Sequence, residues 1–424
     1  MKCRFPGVIC SAAVFTVVQL SWAADWPQYR GPNYDGSSPE SGILKKWPSE
    51  GLREVWKRPV QMGFSSFAVS GGKAFTLEQR NIEGVEREVC VALDAATGKE
   101  LWFYSMGLSR YDGGGGAGDG PRSTPSIDSG KVYVTSEYLV LSCLDAESGK
   151  VVWSKDLVKE HAGRNISWQN AASPLIDGDL IFMAGGGQGQ SLLGINKTSG
   201  KVVWKGQDEK MTHATPIAAT ILGKRQIIFF TQRGLISVQP SDGQLLWRYQ
   251  FPYSTSTAAS PIAAGDIVYC SAGYGVGSGA ARITKEGDQW KAAEIWRSRG
   301  NAICNHWSTP VHYNGYLYGM FSFKQHNTGP LKCVELATGK EMWSQSGFGP
   351  GNLIVVDRHL LALSDAGDLV LVDPSPSEYK EVAHAHVVDG KCWSTPVISN
   401  GRVYARSATQ SVCLEISQST AQRN

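Results

Sequence analysis

The chain has 424 residues, a formal net charge of +3 at pH 7, and the composition of an ordinary soluble globular protein apart from 48 glycines and 14 tryptophans. The weak net charge and the lack of a long run of like charge argue against nucleic acid as a partner. The charge also gives no reason to expect electrostatic steering of a charged partner.

The N-terminal residues differ from the rest of the chain. Lys2 and Arg4 form a basic start, residues 8–20 are mostly apolar, and Ser21-Trp22-Ala23 places small residues at the positions that a signal peptidase reads. This pattern predicts a secretory signal peptide over residues 1–24. We therefore expect a periplasmic or secreted protein.

A transmembrane anchor is the alternative for this segment. The apolar run has about 13 residues, whereas a helix that spans a bilayer needs roughly 20. No later segment is apolar enough to span a membrane. A lipoprotein would need a cysteine at the cleavage point, but Cys10 lies within the apolar run. We expect neither a membrane span nor a lipid anchor.

Residues 123–154 show a structural unit that recurs along the chain. The unit opens with Ser123-Thr124-Pro125, and the alternating apolar residues that follow are typical of short strands joined by tight turns. Its turn at residues 145–149 has glycine at the position that needs a positive φ. The expected strands lie at residues 123–127, 131–135, 139–144 and 150–153.

The end of this unit returns as a docking phrase of the form Ala-x-Asp-x-x-Thr-Gly-Lys-x-x-Trp. Three clear copies and three looser ones end, in chain order, at Trp102, Trp153, Trp204, Trp247, Trp296 and Trp343. Repetition at a period of about 45 residues indicates a repeat architecture.

The opening phrase, in clear or degenerate form, marks eight first strands. A four-stranded sheet this short cannot bury both faces, but eight sheets around an axis can, because each packs on the next. The last unit, residues 394–416, supplies only three strands, while residues 53–57 form an isolated strand around Trp56. We predict an all-β, eight-bladed β-propeller of four-stranded antiparallel blades, closed by this N-terminal strand, which completes the last blade.

Closure in this way leaves no open edge at the joint, and we expect a monomer. The prediction divides the chain into a signal peptide at 1–24, an N-terminal extension at 25–50, the propeller at 51–418 and a tail at 419–424.

The repeated tryptophans are predicted to be structural. Each lies on an outer strand beside a turn and can wedge its large ring between neighbouring sheets. The predicted docking residues are Trp56, Trp102, Trp153, Trp204, Trp247, Trp296 and Trp343. Aromatic platforms for sugars are the alternative, but such regular placement is explained more simply by packing.

Seven cysteines follow the leader, and an odd number leaves at least one unpaired. Cys90, Cys143, Cys333 and Cys413 occupy near-equivalent places in their repeats, which are generally too far apart to bridge. We expect these four to be small buried side chains rather than disulfide partners.

The docking phrase resembles the tryptophan-docking repeat of quinoprotein-like (PQQ-repeat) eight-bladed β-propellers. Residues 94–102 match it at every characteristic position, and the likeness extends over roughly residues 50–416. Trp26–Asn33 also resembles the start of secreted propellers from planctomycete-type bacteria. The resemblance implies the fold predicted above.

The resemblance implies two very different activities. One kind of member is the quinoprotein alcohol and glucose dehydrogenases, which bind pyrroloquinoline quinone (PQQ) and Ca²⁺ at the propeller axis; the other is the non-enzymatic, BamB-like kind. The dehydrogenases are generally longer, and many carry a disulfide between adjacent cysteines, a pair that this sequence lacks. No set of Ca²⁺-ligating oxygens can be assigned. We expect no cofactor and no metal, with PQQ and Ca²⁺ as the alternative.

A binding site should lie where the copies differ, in the variable loops that lead into the first strands, here called lead-in loops. These loops place cations, amides and indoles at corresponding depth near the axis: Arg122, Trp168, Asn170, His213, His306, Trp307, Lys391 and Trp393. Such a ring could hold an anionic or planar ligand, or its members could plug the mouth by bonding to one another. No catalytic residue is assigned.

Two further features have open interpretations. The glycine-rich stretch Gly113–Arg122 is either a loop that lets a partner approach its backbone or a disordered segment. His384 and His386 alternate on a predicted strand and are either metal ligands or half-exposed surface residues.

We predict an exported, non-enzymatic scaffold that mediates protein–protein or polymer contacts in the cell envelope through its loops and exposed strands. The expected partner is an envelope protein or a polymer. The first alternative is a PQQ- and Ca²⁺-dependent quinoprotein dehydrogenase, which is the expected class if the protein is an enzyme. The second is a carbohydrate-binding or carbohydrate-degrading propeller.

Overall fold

The computed structural model describes residues 24–109 and 120–417, and the predicted leader, the C-terminal tail and most of the glycine-rich loop lie outside the described residues. Eight separate sheets follow one another along the chain, each built on four antiparallel strands. A short helix, α1 (Leu157–Glu160), follows the second sheet. No helix in the described part is long and apolar enough to cross a membrane. The predicted all-β, eight-bladed propeller is confirmed.

The strands are numbered in chain order, and two of them precede the first blade: β1 (Ser37–Ser38) and β2 (Glu54–Pro59). Blades 1 to 4 contain β3 (Ala68–Ser70), β4 (Lys73–Ile82), β5 (Val85–Asp94), β6 (Glu100–Leu108), β7 (Ser126–Asp128), β8 (Lys131–Thr135), β9 (Val140–Asp145), β10 (Val151–Asp156), β11 (Leu175–Asp177), β12 (Leu180–Ala184), β13 (Leu192–Asn196), β14 (Val202–Gly206), β15 (Ile217–Ile221), β16 (Lys224–Thr231), β17 (Gly234–Val238) and β18 (Leu245–Gln250).

Blades 5 to 8 contain β19 (Ile262–Ala264), β20 (Ile267–Ala272), β21 (Gly277–Glu286), β22 (Gln289–Ser298), β23 (Val311–Tyr313), β24 (Tyr316–Met320), β25 (Leu331–Glu335), β26 (Glu341–Gln345), β27 (Asn352–Val356), β28 (His359–Leu363), β29 (Asp368–Asp373), β30 (Lys380–His386), β31 (Val397–Ser399), β32 (Arg402–Arg406) and β33 (Gln410–Glu415). The first strands of neighbouring blades contact one another around the axis. The core is divided among the blade-to-blade interfaces, where apolar side chains from adjacent sheets interdigitate.

The ring closes as predicted, because β2 is the outer strand of blade 8. It pairs antiparallel with β33, and Trp56 lies opposite Cys413. The first and last strands of the propeller are therefore joined by a hydrogen-bonded ladder, and no sheet edge is left open at the joint.

The repeated tryptophans lie between neighbouring blades. The Trp102 indole N–H donates to the Ala146 carbonyl of the next blade at 3.2 Å, and the Trp153 indole N–H donates to the Lys197 carbonyl at 3.0 Å. Each ring lies on the backbone of the glycine in the next docking turn: a Cβ built on Gly149 would be 2.6 Å from Trp102. The glycine thus supplies a positive φ and also the space for the ring.

Trp247 differs from this pattern. Its ring packs in the core that blades 4 and 5 share, but its indole N–H donates to Gln226 Oε1, in its own blade, at 2.7 Å. The reason lies in blade 5, where the long strands β21 and β22 are joined at Gly287 and no docking turn is present to accept the bond. The looser repeat at this position therefore keeps the tryptophan and loses its carbonyl partner.

Two glycines of blade 2 allow the need for a positive φ to be compared with the need for space beside a tryptophan ring. Gly130 and Gly149 have nearly the same φ, +71° and +68°, but a Cβ on Gly130 would meet nothing within 4 Å. We expect Gly130→Ala to lower the free energy of unfolding by about 1 kcal/mol, and Gly149→Ala to cost about 2 kcal/mol more because the Trp102 ring must move. Urea unfolding of both variants measures the difference, and equal losses would show that the ring contact contributes nothing.

The N-terminal extension closes one end of the central channel, which the sequence did not predict. Its strand β1 pairs in parallel with Val355 and Val356 at the far end of β27 and adds a fifth strand to blade 7. Trp26 forms a bridge with Val69 of blade 1, and the Tyr34 hydroxyl donates to a carbonyl of blade 3. The extension thereby touches first strands on opposite sides of the ring.

A buried arginine holds this extension in place. The Arg30 side chain is 5% exposed and donates to the backbone carbonyls of Thr309, Pro310 and Asp35 at 2.8–3.2 Å. Burial lowers the pKa of Arg30 from its usual value. Because a buried guanidinium needs several acceptors, these carbonyls determine where the extension crosses the channel.

The seven cysteines in the described part of the chain are all buried and unpaired. This confirms the expectation for Cys90, Cys143, Cys333 and Cys413. Burial raises the pKa of the Cys143 and Cys333 thiols to about 11, which keeps them protonated and unreactive near neutral pH.

Candidate functional site

The opening phrases of five successive repeats build an arc of hydrogen bonds around part of the axis. The backbone N–H groups of Thr395, Ser66, Thr124 and Ser173 each donate to the hydroxyl of the next residue in the arc, ending at Thr215, at distances of 2.8–3.2 Å. These bonds connect blades 8, 1, 2, 3 and 4. Because each of these hydroxyls accepts a backbone bond, its own proton remains available for another partner.

A cavity of about 380 Å³ lies beside this arc, at the end of the channel opposite the N-terminal extension. We call it the mouth cavity. Its wall contains residues from all eight blades, and Tyr29 of the extension forms part of its lining, with its hydroxyl 3.2 Å from Thr309 Oγ1. The extension thus closes the channel beneath a cavity whose size is typical of a small-molecule site.

Most of the residues that the sequence singled out lie in the mouth cavity. The cavity-lining members of that set are Arg122, Trp168, His213, His306, Trp307 and Trp393. Lys391 lies beside them, with its Nζ 4.4 Å from the centre of the Trp393 ring and 5.7 Å from that of Phe64. Most of the glycine-rich loop, residues 113–119, lies outside the described residues.

Asn170 does not reach the cavity wall, and its prediction as a ligand-binding residue is not supported by its position. The side chain is 1% exposed, and its Nδ2 donates to the carbonyls of Ser136 and Ala172 at 3.3 and 3.1 Å. The amide is therefore used to bind backbone carbonyls of two loops and is not free to bind a ligand in the cavity.

Aromatic rings form one wall of the cavity. Trp393 lies 4.6 Å from Trp307 and 4.7 Å from Phe64, measured between ring centres. His326 stacks on Trp393 at 5.5 Å with an interplanar angle of 15°. Trp168 comes from blade 3, across the ring from this cluster, which blades 6, 8 and 1 supply. The cavity therefore has indoles on opposing walls.

The sequence interpretation missed a second set of lining residues. Tyr274, Lys324 and His326 come from the loops between the second and third strands of blades 5 and 6. The Lys324 Nζ lies 5.0 Å from the Tyr274 ring centre. These loops share the face of the lead-in loops in a propeller, so the predicted topology is the signal that could have identified them.

Several mouth residues adopt a strained backbone conformation. Trp168, Gln169, Tyr274 and Lys324 have φ values of 65°, 60°, 59° and 55°, in the left-handed region. Residues other than glycine, asparagine and aspartate adopt this region at a cost of roughly 1–2 kcal/mol each. Such conformations cluster at ligand sites, and here they aim two aromatic side chains and an ammonium at the cavity.

The hydrogen bonds of His213 define its tautomer. Its Nε2 lies 2.9 Å from the Ser167 carbonyl, which can only accept, so Nε2 carries the proton. Its Nδ1 then accepts from the Ser256 hydroxyl at 3.1 Å. Burial lowers the pKa of His213 to about 4, and burial with the nearby His213 and Lys324 lowers the pKa of His306 to about 3. Both imidazoles are neutral at pH 7.

These two pKa values predict how stability depends on pH. The unfolded chain takes up protons on both imidazoles below pH 6.5, while the folded protein does not until about pH 4. We expect these two groups to lower the free energy of unfolding by about 1.4 kcal/mol each per pH unit below pH 6.5. Urea unfolding at pH 7, 6 and 5 measures the slope, and His213→Gln should reduce it by one imidazole's share. An unchanged slope in this variant would contradict the assignment.

The described wall fits an anionic planar group better than it fits Ca²⁺. Rings and cations suit a quinone acid such as PQQ, but no aspartate or glutamate lines the mouth cavity within residues 24–109 and 120–417. Ca²⁺ prefers several carboxylate or amide oxygens. Asn352 supplies an amide whose Nδ2 donates to the Trp393 carbonyl at 2.7 Å. In the described ranges, no group of three or more His, Cys, Asp and Glu side chains could hold a metal ion.

His384 and His386 lie on β30 and make ionic contacts with carboxylates. His386 Nδ1 and Nε2 lie 2.9 Å from Asp368 and 3.1 Å from Asp389, and these bonds raise its pKa. His384 Nε2 lies 3.8 Å from Asp368. Both side chains are about half exposed, 48% and 52%. This arrangement favours the interpretation as half-exposed surface residues.

The relatives of this chain among known proteins include BamB proteins and quinoprotein dehydrogenases. The chain is 25% identical over 290 residues to an outer membrane protein assembly factor BamB from Moranella endobia, covering 64% of this chain and 68% of that protein. It is also 25% identical over 248 residues to the quinoprotein alcohol dehydrogenase PedH of Pseudomonas putida, covering 55% of this chain but only 37% of PedH. The chain spans little more than a third of that enzyme.

Solved structures share the fold with both groups. BamB from Moraxella catarrhalis superposes with a TM-score of 0.58 at 14% identity, covering 86% of this chain and 99% of that one. The quinohemoprotein alcohol dehydrogenase of Comamonas testosteroni superposes with a TM-score of 0.65 at 12% identity, covering 93% and 81%. The family described as "Outer membrane protein assembly factor BamB" matches residues 85–308, more than half of the chain. With the repeats and eight blades described above, this shows that the chain belongs to the BamB-like family of PQQ-repeat β-propellers.

Proposed function

We propose that this protein is an exported, non-enzymatic scaffold that binds an extended segment of another envelope protein. The observation that supports the proposal is an uneven distribution of exposed apolar side chains. In the described part of the chain, the outer strands of blades 1 to 4 carry Leu101, Phe103, Leu108, Val151, Val152, Val203 and Leu245, each at least 41% exposed. We call this set the apolar rim.

The outer strands of the other blades differ. Strands β22, β26, β30 and β2 carry no comparably exposed large apolar side chain. A ring that needed only to stay soluble would have no reason to concentrate apolar side chains on one side. Exposed apolar patches and unpaired strand edges are typical of interaction surfaces, so the rim of blades 1 to 4 is the surface to assign to a partner.

The charges along the rim indicate the chemistry of that partner. The docking turns of blades 1, 2 and 3 place the exposed lysines Lys99, Lys150 and Lys201 next to the apolar positions. An extended strand that alternates apolar and acidic residues would add to the outer edge, bury the apolar side chains and meet the lysines. The relatives named outer membrane protein assembly factor support an envelope protein as this partner.

Position-specific cross-linking tests the proposal. A photo-reactive residue at Leu101, Val152 or Val203 should capture the same envelope protein in the native host, through an extended acidic segment of that protein. A matched control at Gln345, on the exposed outer strand of blade 6, should capture at least about tenfold less. Salt should weaken the capture because the lysines are exposed. Equal capture around the ring would contradict the assignment.

A quinoprotein oxidoreductase is the second candidate, favoured by the aromatic and cationic lining of the mouth cavity and by the similarity to PedH. Titration of the purified protein with PQQ and Ca²⁺ separates the candidates. Stoichiometric uptake with dye-linked alcohol oxidation would support the enzyme, whereas absence of uptake would leave the scaffold as the better proposal.

A further inference from the structure

We propose that the mouth cavity is a binding site for an acidic sugar residue, either carboxylated or sulfated. This inference is independent of the apolar rim, because the two surfaces share no residue. A scaffold that binds a protein through the apolar rim has no need of this cavity, so we assign the cavity to a small-molecule ligand.

The first support is the pair of opposing aromatic walls. Trp307 and Trp393 lie on one side of the cavity and Trp168 on the other. The Trp307 indole N–H donates to the Pro350 carbonyl at 3.2 Å, and Arg122 donates to the backbone carbonyl of Trp168. The faces of a sugar ring carry C–H groups that pack on aromatic rings, and sites for such ligands combine apolar faces with a few placed polar groups. The backbone of Trp168 has a φ of 65°, a strained conformation of the kind that is common at ligand sites.

The second support is a set of polar groups that suit several hydroxyls at once. The hydroxyl residues of the hydrogen-bonded arc line the cavity: Ser66, Thr124, Ser173, Thr215 and Thr395. The hydroxyls of Ser66, Thr124, Ser173 and Thr215 accept backbone bonds from the neighbouring blade, so their own protons can be donated to a ligand. A flat aromatic acid has few hydroxyl partners for such an arc, whereas a sugar presents several around its edge.

Two buried polar atoms in side chains of the cavity wall have no hydrogen-bond partner. His306 is 6% exposed, and its Nδ1 makes no hydrogen bond. The buried Nε1 of Trp393 has no acceptor. Unsatisfied buried polar atoms are uncommon and costly. Both side chains line the mouth cavity, so a ligand with several hydroxyl groups would offer partners to these atoms if the rings turn toward it on binding.

The third support is the charge of the lining. Lys324 projects over the Tyr274 and Phe323 rings, with its Nζ 5.0 and 5.4 Å from their centres. The described lining contains no acidic residue, while Arg122 adds a second cation. A carboxylate or sulfate on the sugar would therefore meet positive charge and no like charge within the described wall.

Binding of matched sugars tests this proposal. Tryptophan fluorescence and calorimetry would compare galacturonate dimers, galactose 6-sulfate and their neutral counterparts, with inorganic sulfate as the anion alone. We expect at least one acidic sugar to bind about tenfold or more tightly than its neutral counterpart. The carboxylated and sulfated probes distinguish the two sources of the acidic group, and weaker binding of inorganic sulfate would show that the sugar ring contributes.

Two variants and two controls connect the binding to the cavity. Lys324→Met should remove the preference for the acidic sugar while keeping the affinity for the neutral one, and Trp307→Ala should weaken both by about fivefold or more. The matched control is Lys285→Met, since the Lys285 Nζ lies 5.3 Å from the Trp290 ring in a hairpin of blade 5, outside the cavity. A second control, Leu101→Lys on the apolar rim, should leave sugar binding unchanged, so that failure of either proposal is recognised separately.

Three results would overturn the inference. Neutral sugars could bind as tightly as the acidic ones, both acidic probes could fail to bind at millimolar concentration, or Lys285→Met could change binding as much as Lys324→Met does. Tight binding of PQQ with no binding of acidic sugars would reassign the cavity to the quinone. Thermal unfolding of each variant checks that it is folded.

Discussion

Replacing Arg406 with methionine should lower the free energy of unfolding by about 4 kcal/mol. Arg406 lies on β32 of blade 8 and is 1% exposed. Its guanidinium crosses to blade 1, where it donates to the Leu77 carbonyl and Thr76 Oγ1 at 2.8 and 2.9 Å. It also donates to the Gly63 and Gln61 carbonyls at 3.0 and 3.1 Å.

The size of the effect follows from what the substitution leaves behind. Methionine keeps much of the apolar stem but removes every donor, so the carbonyls of the blade 1 lead-in loop stay buried without partners. Burial lowers the pKa of Arg406 to about 10, and the side chain is still charged at neutral pH. The charge is tolerated because its surroundings are rich in carbonyl oxygens, and no other side chain in the described chain makes these bonds.

Urea unfolding measures the loss, and Arg402→Met is the matched control on the same strand. Arg402 has a 28% exposed side chain and a 3.8 Å contact with Glu415, so its replacement should cost less than about 1 kcal/mol. If the two methionine variants unfold at the same urea concentration, the hydrogen bonds of Arg406 do not stabilise the joint between blades 8 and 1.

The second large effect is expected for Trp56→Ala, with a loss of about 4 kcal/mol. Trp56 is 7% exposed and holds β2 in blade 8. Its indole N–H donates to the Ala95 carbonyl at 3.1 Å, and its ring lies 6.3 Å from Phe67 and 6.0 Å from Tyr404 between ring centres. Truncation opens a large gap at the position where the ends of the chain meet.

Limited proteolysis would show which part of the Trp56→Ala variant is destabilised. Release of β2 should expose the segment between β2 and β3, around Met62, and cleavage there should precede cleavage within other blades. Phe103→Ala is the control, because Phe103 is also aromatic and on an outer strand but is 49% exposed; its cost should stay below about 1 kcal/mol. Uniform cleavage of all blades in Trp56→Ala would contradict a local role for this tryptophan.

Both substitutions act where the two ends of the chain meet, in blade 8 and at its contact with blade 1. The ladder between β2 and β33 links the chain ends, and Arg406 links the two blades across it. The ring should open first at blade 8, because β2 is the one outer strand among those described that is not joined to its blade by a hairpin turn. The joint is therefore the place where stability and ring closure are coupled.

The sequence alone determined the fold, because the fold is built from local repeats. The docking phrase specifies an outer strand, a glycine turn and a wedge, and Trp102 on Gly149 shows why those residue types recur. The Ser/Thr-Pro phrase predicted the first strands, and the structure adds that hydroxyls such as Thr124 and Ser173 bond one blade to the next. Each of these signals depends on residues within a single unit and its neighbour.

The candidate site depended on contacts that no repeat encodes. The sequence placed Arg122, His213 and His306 near the axis, since the blade count defines the ring, and the structure locates them on one cavity. It could not show that Tyr29 crosses the channel to form the other end of that cavity, because Arg30 binds carbonyls about 280 residues away in the chain.

The tertiary structure also decided which predicted residues reach the cavity. The Asn170 side chain turns inward to backbone carbonyls, while Lys324 and His326 reach the cavity from the loop between the second and third strands of blade 6. Whether a polar side chain faces a cavity depends on the acceptors that the folded chain brings beside it, and those acceptors belong to other loops and blades. Local residue patterns therefore determined the architecture, and long-range packing determined the site.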